Sequence, residues 1–388
     1  MNPSAPGWIN KFGHIVQEPN MGFASYGDMY ASLRASGFVY GIHIESPSFI
    51  VTDHALTEDE IAKINLLTAL YFSFTFETGK NDFSQFVDTA FTFYTDLDIG
   101  QISLLNKILT GKKTEAQLEK LIDSRIQMGS NMINRALGNT LANSLLYVDI
   151  LIFIAYLRGH ASITEHAQLL EFVTISMAHE ALHFKQANKS NEKLIQLLDS
   201  SLTYIDVHES GFEGPYRELL KDNFSPLELE YFMDIVSLAI WEDKQIEETE
   251  LNFAVQIGCD LGKSEIQATE SLMAVALFFE KNKEKVPHLR NDNLALQFYD
   301  SMSKNVGKLI LRNSKRLQKE LSESAELVTL LSKATVKNLS PKERKKVKKQ
   351  LLDIFKSIPS LAIFLLPGGA ILLPIFIQLV PKLLPSAF

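Results

Sequence analysis

The sequence predicts an all-α protein, in which a multi-helix soluble region is followed by a proline-rich, apolar helix at the C-terminus. Capping-box patterns recur along the chain: a Ser or Thr is followed three residues later by Glu or Gln, so that side chains satisfy the free N–H groups of a helix start. Alternation of apolar and polar residues, which is typical of strands, is scarce. Strands are therefore expected, if anywhere, only within residues 38–51.

The capping patterns predict four helix starts. Thr57-Glu58-Asp59-Glu60 precedes an apolar helical run to about Phe74, and similar motifs begin at Ser225, Ser264 and Ser340. Proline follows Ser225 and Ser340, at the first helical position, where its missing N–H costs nothing. Phenylalanines in and after the first of these helices are expected to fill a core. They are Phe72, Phe74, Phe76, Phe83, Phe86, Phe91 and Phe93.

The charge of the chain is unevenly distributed. The net charge is −8, but residues 303–388 carry 16 Lys and Arg against 5 Asp and Glu. The first 302 residues are therefore strongly acidic and are not expected to bind DNA, because neutralising phosphates requires clustered positive charge. The basic part suits an anionic lipid surface, RNA or the acidic part of the same chain.

A chain of 388 residues is long enough for two or three domains. We divide it into an N-terminal helical region (1–140), a second helical domain (141–300) and a region of basic helices with the apolar segment (301–388). The single Cys259 excludes an internal disulfide. Since the N-terminus has neither a basic region nor a continuous apolar stretch of a signal peptide, the bulk of the chain is expected to remain in the cytoplasm.

Two stretches of the middle region share one pattern. Residues 147–163 and 232–246 each read as a helix and a polar turn that closes on isoleucine, and each leads into a second helix. The second stretch, with Ser237-Leu238-Ala239-Ile240-Trp241-Glu242-Asp243, resembles TerB-like helical domains, whose bacterial members are linked to tellurite resistance and membrane assemblies. The alternative is a generic helical hairpin.

The pattern His179-Glu180-Ala181-Leu182-His183 has the spacing of a zinc peptidase motif. Histidines at i and i+4 share one helical face and can bind one zinc ion, with the glutamate as general base. Lys185 follows where an apolar residue is usual, and His208 and Glu209 are the downstream candidates for a third ligand. We expect two structural histidines, no metal and no enzymatic activity; the alternative is a soluble metalloenzyme. Neither a Gly-rich phosphate loop nor a nucleophile elbow appears in the sequence. We expect no cofactor.

The C-terminal segment is the most apolar part of the chain. Between Lys356 and Lys382 lie 25 consecutive uncharged residues, which as one helix would extend about 37 Å across a hydrocarbon core of about 30 Å. Its prolines free backbone carbonyls that need a partner, such as a second copy of the chain or a membrane protein. We expect a transmembrane helix; a hairpin within the membrane and a buried core segment remain alternatives. The residues of this membrane motif are Pro359, Pro367, Gly368, Gly369, Pro374, Pro381, Leu384, Pro385, Ser386 and Phe388.

A basic run precedes the apolar segment. Lys and Arg beside a span are retained on the cytoplasmic side, and each adds about 1 kcal/mol of attraction to an anionic leaflet. The run predicts a cell (inner) membrane protein with the bulk of its chain in the cytoplasm. Its juxtamembrane residues are Lys342, Arg344, Lys345, Lys346, Lys348 and Lys349.

Four motifs frame the apolar segment. They are Ser340-Pro341-Lys342-Glu343, Gln350-Leu351-Leu352-Asp353-Ile354-Phe355, Ile358-Pro359-Ser360-Leu361-Ala362-Ile363-Phe364 and Leu383-Leu384-Pro385-Ser386-Ala387-Phe388. These motifs closely resemble the Letm family, the leucine-zipper and EF-hand transmembrane proteins of the mitochondrial inner membrane and their bacterial relatives. With its start Met-Asn-Pro-Ser-Ala-Pro-Gly-Trp, the chain looks most like bacterial members called Letm-related biofilm-associated.

The resemblance implies a membrane-anchored, non-enzymatic protein with an interaction or regulatory role. Mitochondrial members are implicated in cation/proton exchange, and the domain that begins at this segment is described as ribosome-binding. The implied partners are the lipid bilayer, a second copy or a membrane protein, and the ribosome, and the implied settings are biofilm, cation homeostasis and ribosome association. Two alternatives to this membrane-anchored protein remain: the soluble metalloenzyme, and a soluble helical scaffold that buries its own C-terminus.

Overall fold

The structure is a computed structural model that describes residues 1–19, 21–52, 54–97, 113–130, 146–184, 189–205, 215–220, 223–241, 246–285, 294–358, 361, 364–365 and 369–387. Every regular element in these ranges is helical, which confirms the all-α class. Residues 38–51 form turns and irregular chain in place of strands. Gly37 and Gly41 take positive φ angles of 82° and 70°, and the N–H of Ile42 bonds to the Gly37 carbonyl, so the chain turns locally.

The chain divides into two compact units, Met1–Asn131 with Asn143–Ala167, and Met132–Ala142 with Gln168–Phe388. The boundary falls inside a helix, after Ala167. The three domains expected from composition stay a prediction.

The first unit is built around one helix that is buried on nearly all sides. Its helices are α1 (Trp8–Val16), α2 (Tyr26–Ala35), α3 (Glu58–Thr78), α4 (Phe83–Asp96), α5 (Glu115–Ser130) and α6 (Leu146–Leu157), and α7 (Ile163–Phe184) begins in it. Helix α3 packs against α2, α4, α5 and α6. All its residues from Glu60 to Phe74 are buried, as expected for a helix surrounded by others.

The predicted helix starts are confirmed. The hydroxyl of Thr57 accepts the N–H of Glu60, and the Glu60 carboxylate accepts the N–H of Thr57 at 2.8 Å. Reciprocal caps of the same kind occur at Ser225, Ser264 and Ser340. Each cap satisfies free donors at the helix start, which fixes where the helix begins.

The phenylalanine cluster forms a core, as predicted. Six of the seven are buried, and Phe76 is half-buried. Tyr71 joins the cluster, with its ring centroid 5.6 Å from that of Phe83 and 5.3 Å from that of Phe86. Such edge-to-face and tilted ring pairs add about 0.5–1.5 kcal/mol each beyond the burial of their area.

The second unit contains two groups of helices. Its elements after α7 are α8 (Lys189–Leu202), α9 (Tyr216–Leu219), α10 (Pro226–Ile240), α11 (Glu248–Asp260), α12 (Glu265–Asn282), α13 (Leu294–Arg312), α14 (Ser314–Ser322), α15 (Ala325–Ala334), α16 (Pro341–Ser357) and α17 (Leu373–Leu383). Helices α10, α11 and α12 pack on one another, while α13 packs against α8 and α17.

The two predicted hairpins differ in how far the structure describes them. In the first, α6 and α7 are joined by a turn at Gly159, whose φ is 78°. In the second, α10 is followed by α11, and residues 242–245 of the turn lie outside the described part of the chain. The likeness to TerB domains stays a prediction.

A buried ion pair joins two helices of the first unit. The guanidinium of Arg125 on α5 donates two hydrogen bonds, of 2.7 and 2.9 Å, to the carboxylate of Asp149 on α6. Both side chains are buried, and the Tyr94 hydroxyl lies 3.3 Å from the same carboxylate. Because desolvation offsets much of the attraction, the pair fixes which faces of the helices meet more than it adds stability.

This pair gives the first testable prediction. Asp149→Ala leaves the Arg125 guanidinium buried without its counterion and should lower the free energy of unfolding by about 3–5 kcal/mol. The double variant Arg125→Met with Asp149→Leu, which removes both charges, should lose much less. Urea unfolding followed by circular dichroism compares them. Equal losses in the two variants would contradict the assignment.

Candidate functional site

Helix α16 separates a basic face from an apolar face. Ser340 caps its start through Glu343, and Pro341 occupies the first turn. Val347, Leu351, Ile354 and Phe355 are buried, at the spacing of one helical face. The lysines that alternate with them are thereby directed outward.

The predicted juxtamembrane residues lie on the outward face. Lys342, Lys345, Lys346 and Lys349 are exposed, whereas Arg344 and Lys348 are half-buried. The Arg344 guanidinium donates to the Leu339 carbonyl at 2.9 Å, which helps fix the turn before α16. The exposed side chains form one basic surface on α16, and their juxtamembrane role stays a prediction.

Two ion pairs tie α16 to α15. Lys333 of α15 lies 2.6 Å from Glu343, and Lys346 lies 2.6 Å from Glu326 of α15. The hydrogen bonds from Lys333 and Ser340 lower the pKa of Glu343 to about 2, and the bond from Lys346 likewise lowers the pKa of Glu326. Exposed pairs of this kind contribute little stability, so Lys346 can exchange Glu326 for another anion at small cost.

The described part of the apolar segment is folded into the second unit. The expectation of one long helix is not met in the described residues: a 3-10 helix spans Gly369–Ile371, and α17 spans only the 11 residues Leu373–Leu383. The reason is local. Pro374 lies in the first turn of α17, where its missing N–H is harmless, so that a helix begins there. Nowhere in the described part of the chain does a helix have the length and apolar character needed to cross a membrane.

The buried side of the segment consists of aromatic and aliphatic side chains. Phe376 is 0% exposed, and its ring centroid lies 4.9 Å from Phe355 of α16 and 5.1 Å from Phe364. Phe355 and Phe364 stack at 4.4 Å. Further buried residues are Ile371, Leu372, Leu373, Ile375, Ile377, Val380 and Leu384.

Helix α13 provides the surface that the segment covers. Its buried residues Met302, Val306, Leu309 and Ile310 lie on one face. On the same helix, a Cβ at Gly307 would lie 3.6 Å from Leu383 and 4.0 Å from Leu379, so α17 lies close to its backbone. Helices α8 and α15 also contact α17.

Three polar contacts join the described residues from Gly369 onward to other helices. The Ala370 N–H donates to the carboxylate of Glu171 on α7 at 3.3 Å, and Glu171 is only 8% exposed. Gln318 of α14 donates to the Ser386 hydroxyl at 2.8 Å, and the Tyr299 hydroxyl lies 3.5 Å from the Gln378 side chain. Sequence reasoning missed Glu171, Gly307 and Gln318. The periodic apolar residues of α13 signal a buried face but not what covers it.

The residues predicted to form the membrane motif are distributed as follows. Gly369 and Leu384 are buried, Pro374 is buried at the start of α17, Pro381 is inside α17, and Pro385 and Ser386 are exposed. Pro359, Pro367, Gly368 and Phe388 lie outside the described residues.

The histidine motif lies on α7, and its glutamate is engaged in other contacts. The rings of His179 and His183 stack with centroids 6.0 Å apart. Glu180 accepts a hydrogen bond from Arg217 at 2.7 Å and another from the Tyr216 hydroxyl, and Arg217 also donates to Asp260. Burial lowers the pKa of His179 and raises that of Tyr216.

These contacts tie Glu180 to α9, and Arg217 in turn ties α9 to Asp260 of α11. A general base for zinc-bound water would need that carboxylate directed to the metal. Within the described ranges, no group of three His, Cys, Asp or Glu side chains is arranged to hold a metal ion. His208 and Glu209 lie outside them.

The fold and this region define a helical protein whose C-terminal part combines a basic helix with a buried apolar segment. Residues 339–388 match the family model described as LETM1-like, RBD. For these C-terminal residues, the match confirms the resemblance to the Letm family that the same residues predicted. Searches of curated proteins and of solved structures gave no significant match.

The packing of the segment gives the second prediction. Phe376→Ala should lower the free energy of unfolding by about 3–5 kcal/mol, because it removes a buried aromatic side chain and leaves a cavity. Lys382→Ala, at an exposed position of the same helix, is the matched control and should change it by less than about 0.5 kcal/mol. Urea unfolding measures both. If the two variants behaved alike, α17 would not be part of the core.

Proposed function

We propose that the protein is a non-enzymatic, Letm-related interaction protein that acts at the bacterial inner membrane, with most of its chain in the cytoplasm. The single observation that carries this proposal is the outward basic face of α16 immediately before the apolar segment. A basic surface attracts an anionic leaflet, and an adjoining apolar segment can insert below the lipid headgroups.

The electrostatic contribution is substantial. Lys342, Lys345 and Lys349 are exposed, and near an anionic surface each basic residue adds about 1 kcal/mol. That attraction decays over about 10 Å at 0.1 M salt, so the binding we propose is salt-dependent.

The Letm resemblance offers three settings for this role: biofilm, cation homeostasis and ribosome association. A basic face suits either lipid phosphates or RNA phosphates by charge alone. We propose lipid because the apolar segment follows the same helix, and a bilayer, unlike RNA, can take up a stretch of 25 uncharged residues. The acidic first 302 residues then serve as the region that contacts protein partners.

A second candidate is a soluble scaffold that buries its own C-terminus. The observation that favours it is the complete burial of Phe376 against Phe355 and Phe364. The two candidates differ in whether the protein binds lipid at all.

Vesicle co-sedimentation tests the proposal and is the third prediction. The triple variant Lys342→Glu, Lys345→Glu and Lys349→Glu should bind phosphatidylglycerol vesicles at least about tenfold more weakly than the original chain. A matched control makes the same charge change at exposed lysines of the first unit: Lys11→Glu, Lys80→Glu and Lys120→Glu. Its binding should change little. If both variants lost vesicle affinity equally, the net charge of the chain and not the face of α16 would explain the binding. If the unmodified protein did not bind vesicles, the result would favour the scaffold.

A further inference from the structure

The apolar segment occupies a binding surface of its own chain. Helix α17 covers α13, contacts α8 and α15, and joins the rings of Phe355 and Phe364 through Phe376. Its side chains on this side cannot simultaneously contact lipid. Burial in the second unit and insertion into a bilayer are thus mutually exclusive for the residues from Leu373 to Val380.

The contacts that hold the segment are of a kind that a bilayer can replace. Apolar burial is non-directional and depends on removing area from water, which a hydrocarbon layer does equally well. The three polar contacts, to Glu171, Tyr299 and Gln318, leave groups that water can satisfy after release. The cost of release is the exposure of the part of α13 that α17 covers around Gly307.

We infer that the second unit inhibits its own membrane binding by holding α17 of the apolar segment against α13. Membrane binding then requires an exchange, in which the segment leaves α13 and inserts into lipid. This inference rests on the proposed membrane function. The apparent affinity for vesicles then equals the intrinsic affinity reduced by the small fraction of molecules in which the segment is released. Strengthening the packed state must weaken membrane binding, and weakening it must do the reverse.

Gly307 offers a way to weaken the packed state. A Cβ there meets Leu383 at 3.6 Å, an ordinary contact, so Gly307→Ala should be tolerated and serves as the matched control. The ring of Gly307→Phe would need the space of Leu379 and Leu383 and should displace α17. We expect Gly307→Phe to bind phosphatidylglycerol vesicles several-fold more tightly than Gly307→Ala.

A reversible tether strengthens the packed state and is the fourth prediction. In a Cys259→Ser background, Gln318→Cys and Ser386→Cys are joined by a short bis-methanethiosulfonate reagent, because these side chains lie in contact. The tethered protein should bind vesicles at least about tenfold more weakly than the same protein after a reductant removes the tether. Each single-cysteine variant treated with the reagent controls for the modification itself.

The outcomes separate the exchange from the membrane function. Loss of binding on tethering and its recovery with reductant support the exchange. Equal binding with and without the tether would overturn it while leaving the membrane function intact. Failure of the untethered protein to bind anionic vesicles would overturn both. If Gly307→Phe does not fold, the tether decides alone.

Discussion

The burial of Phe376 between Phe355 and Phe364 is the contact on which the C-terminal region depends. The 25 uncharged residues between Lys356 and Lys382 are too apolar to remain in water, so they must be covered by protein or by lipid. The second unit covers the described part with α13, α8 and α15. The position of α16, and with it the direction of its lysines, follows because Phe355 belongs to both α16 and this cluster.

Pro374 determines where the last helix of the segment begins. One continuous helix would place Pro374 in its interior, where a proline costs about 3 kcal/mol. The structure instead begins α17 at Leu373, which puts Pro374 into the first turn. The resulting short helix fits along α13 beside Gly307, whereas a continuous helix of 25 residues would extend well beyond it. Pro374, which would interrupt one continuous helix, therefore favours a short helix that packs within the second unit.

Local signals in the sequence predicted much of the fold. The caps at Thr57, Ser225, Ser264 and Ser340 depend only on residues three apart, and the phenylalanine core depends on composition and helical spacing. The Letm-like segment was likewise recognisable from contiguous motifs. The partner of the apolar segment was not predictable in this way. Glu171 and Ala370 lie 199 positions apart, and no local pattern connects them. The contacts of Glu180 with Tyr216 and Arg217 are non-local for the same reason.

Helix α16 connects the two states that the exchange requires. In the packed state its apolar side chains Phe355 and Ile354 are buried while its lysines face outward. Departure of Phe376 would uncover part of the Phe355 ring, on the apolar side of the same helix. A helix with Lys on one face and Phe, Ile and Leu on the other is the type that lies in a membrane interface. Release of α17 would therefore add the ring of Phe355, on the helix that carries the basic face, to the surface that contacts the membrane.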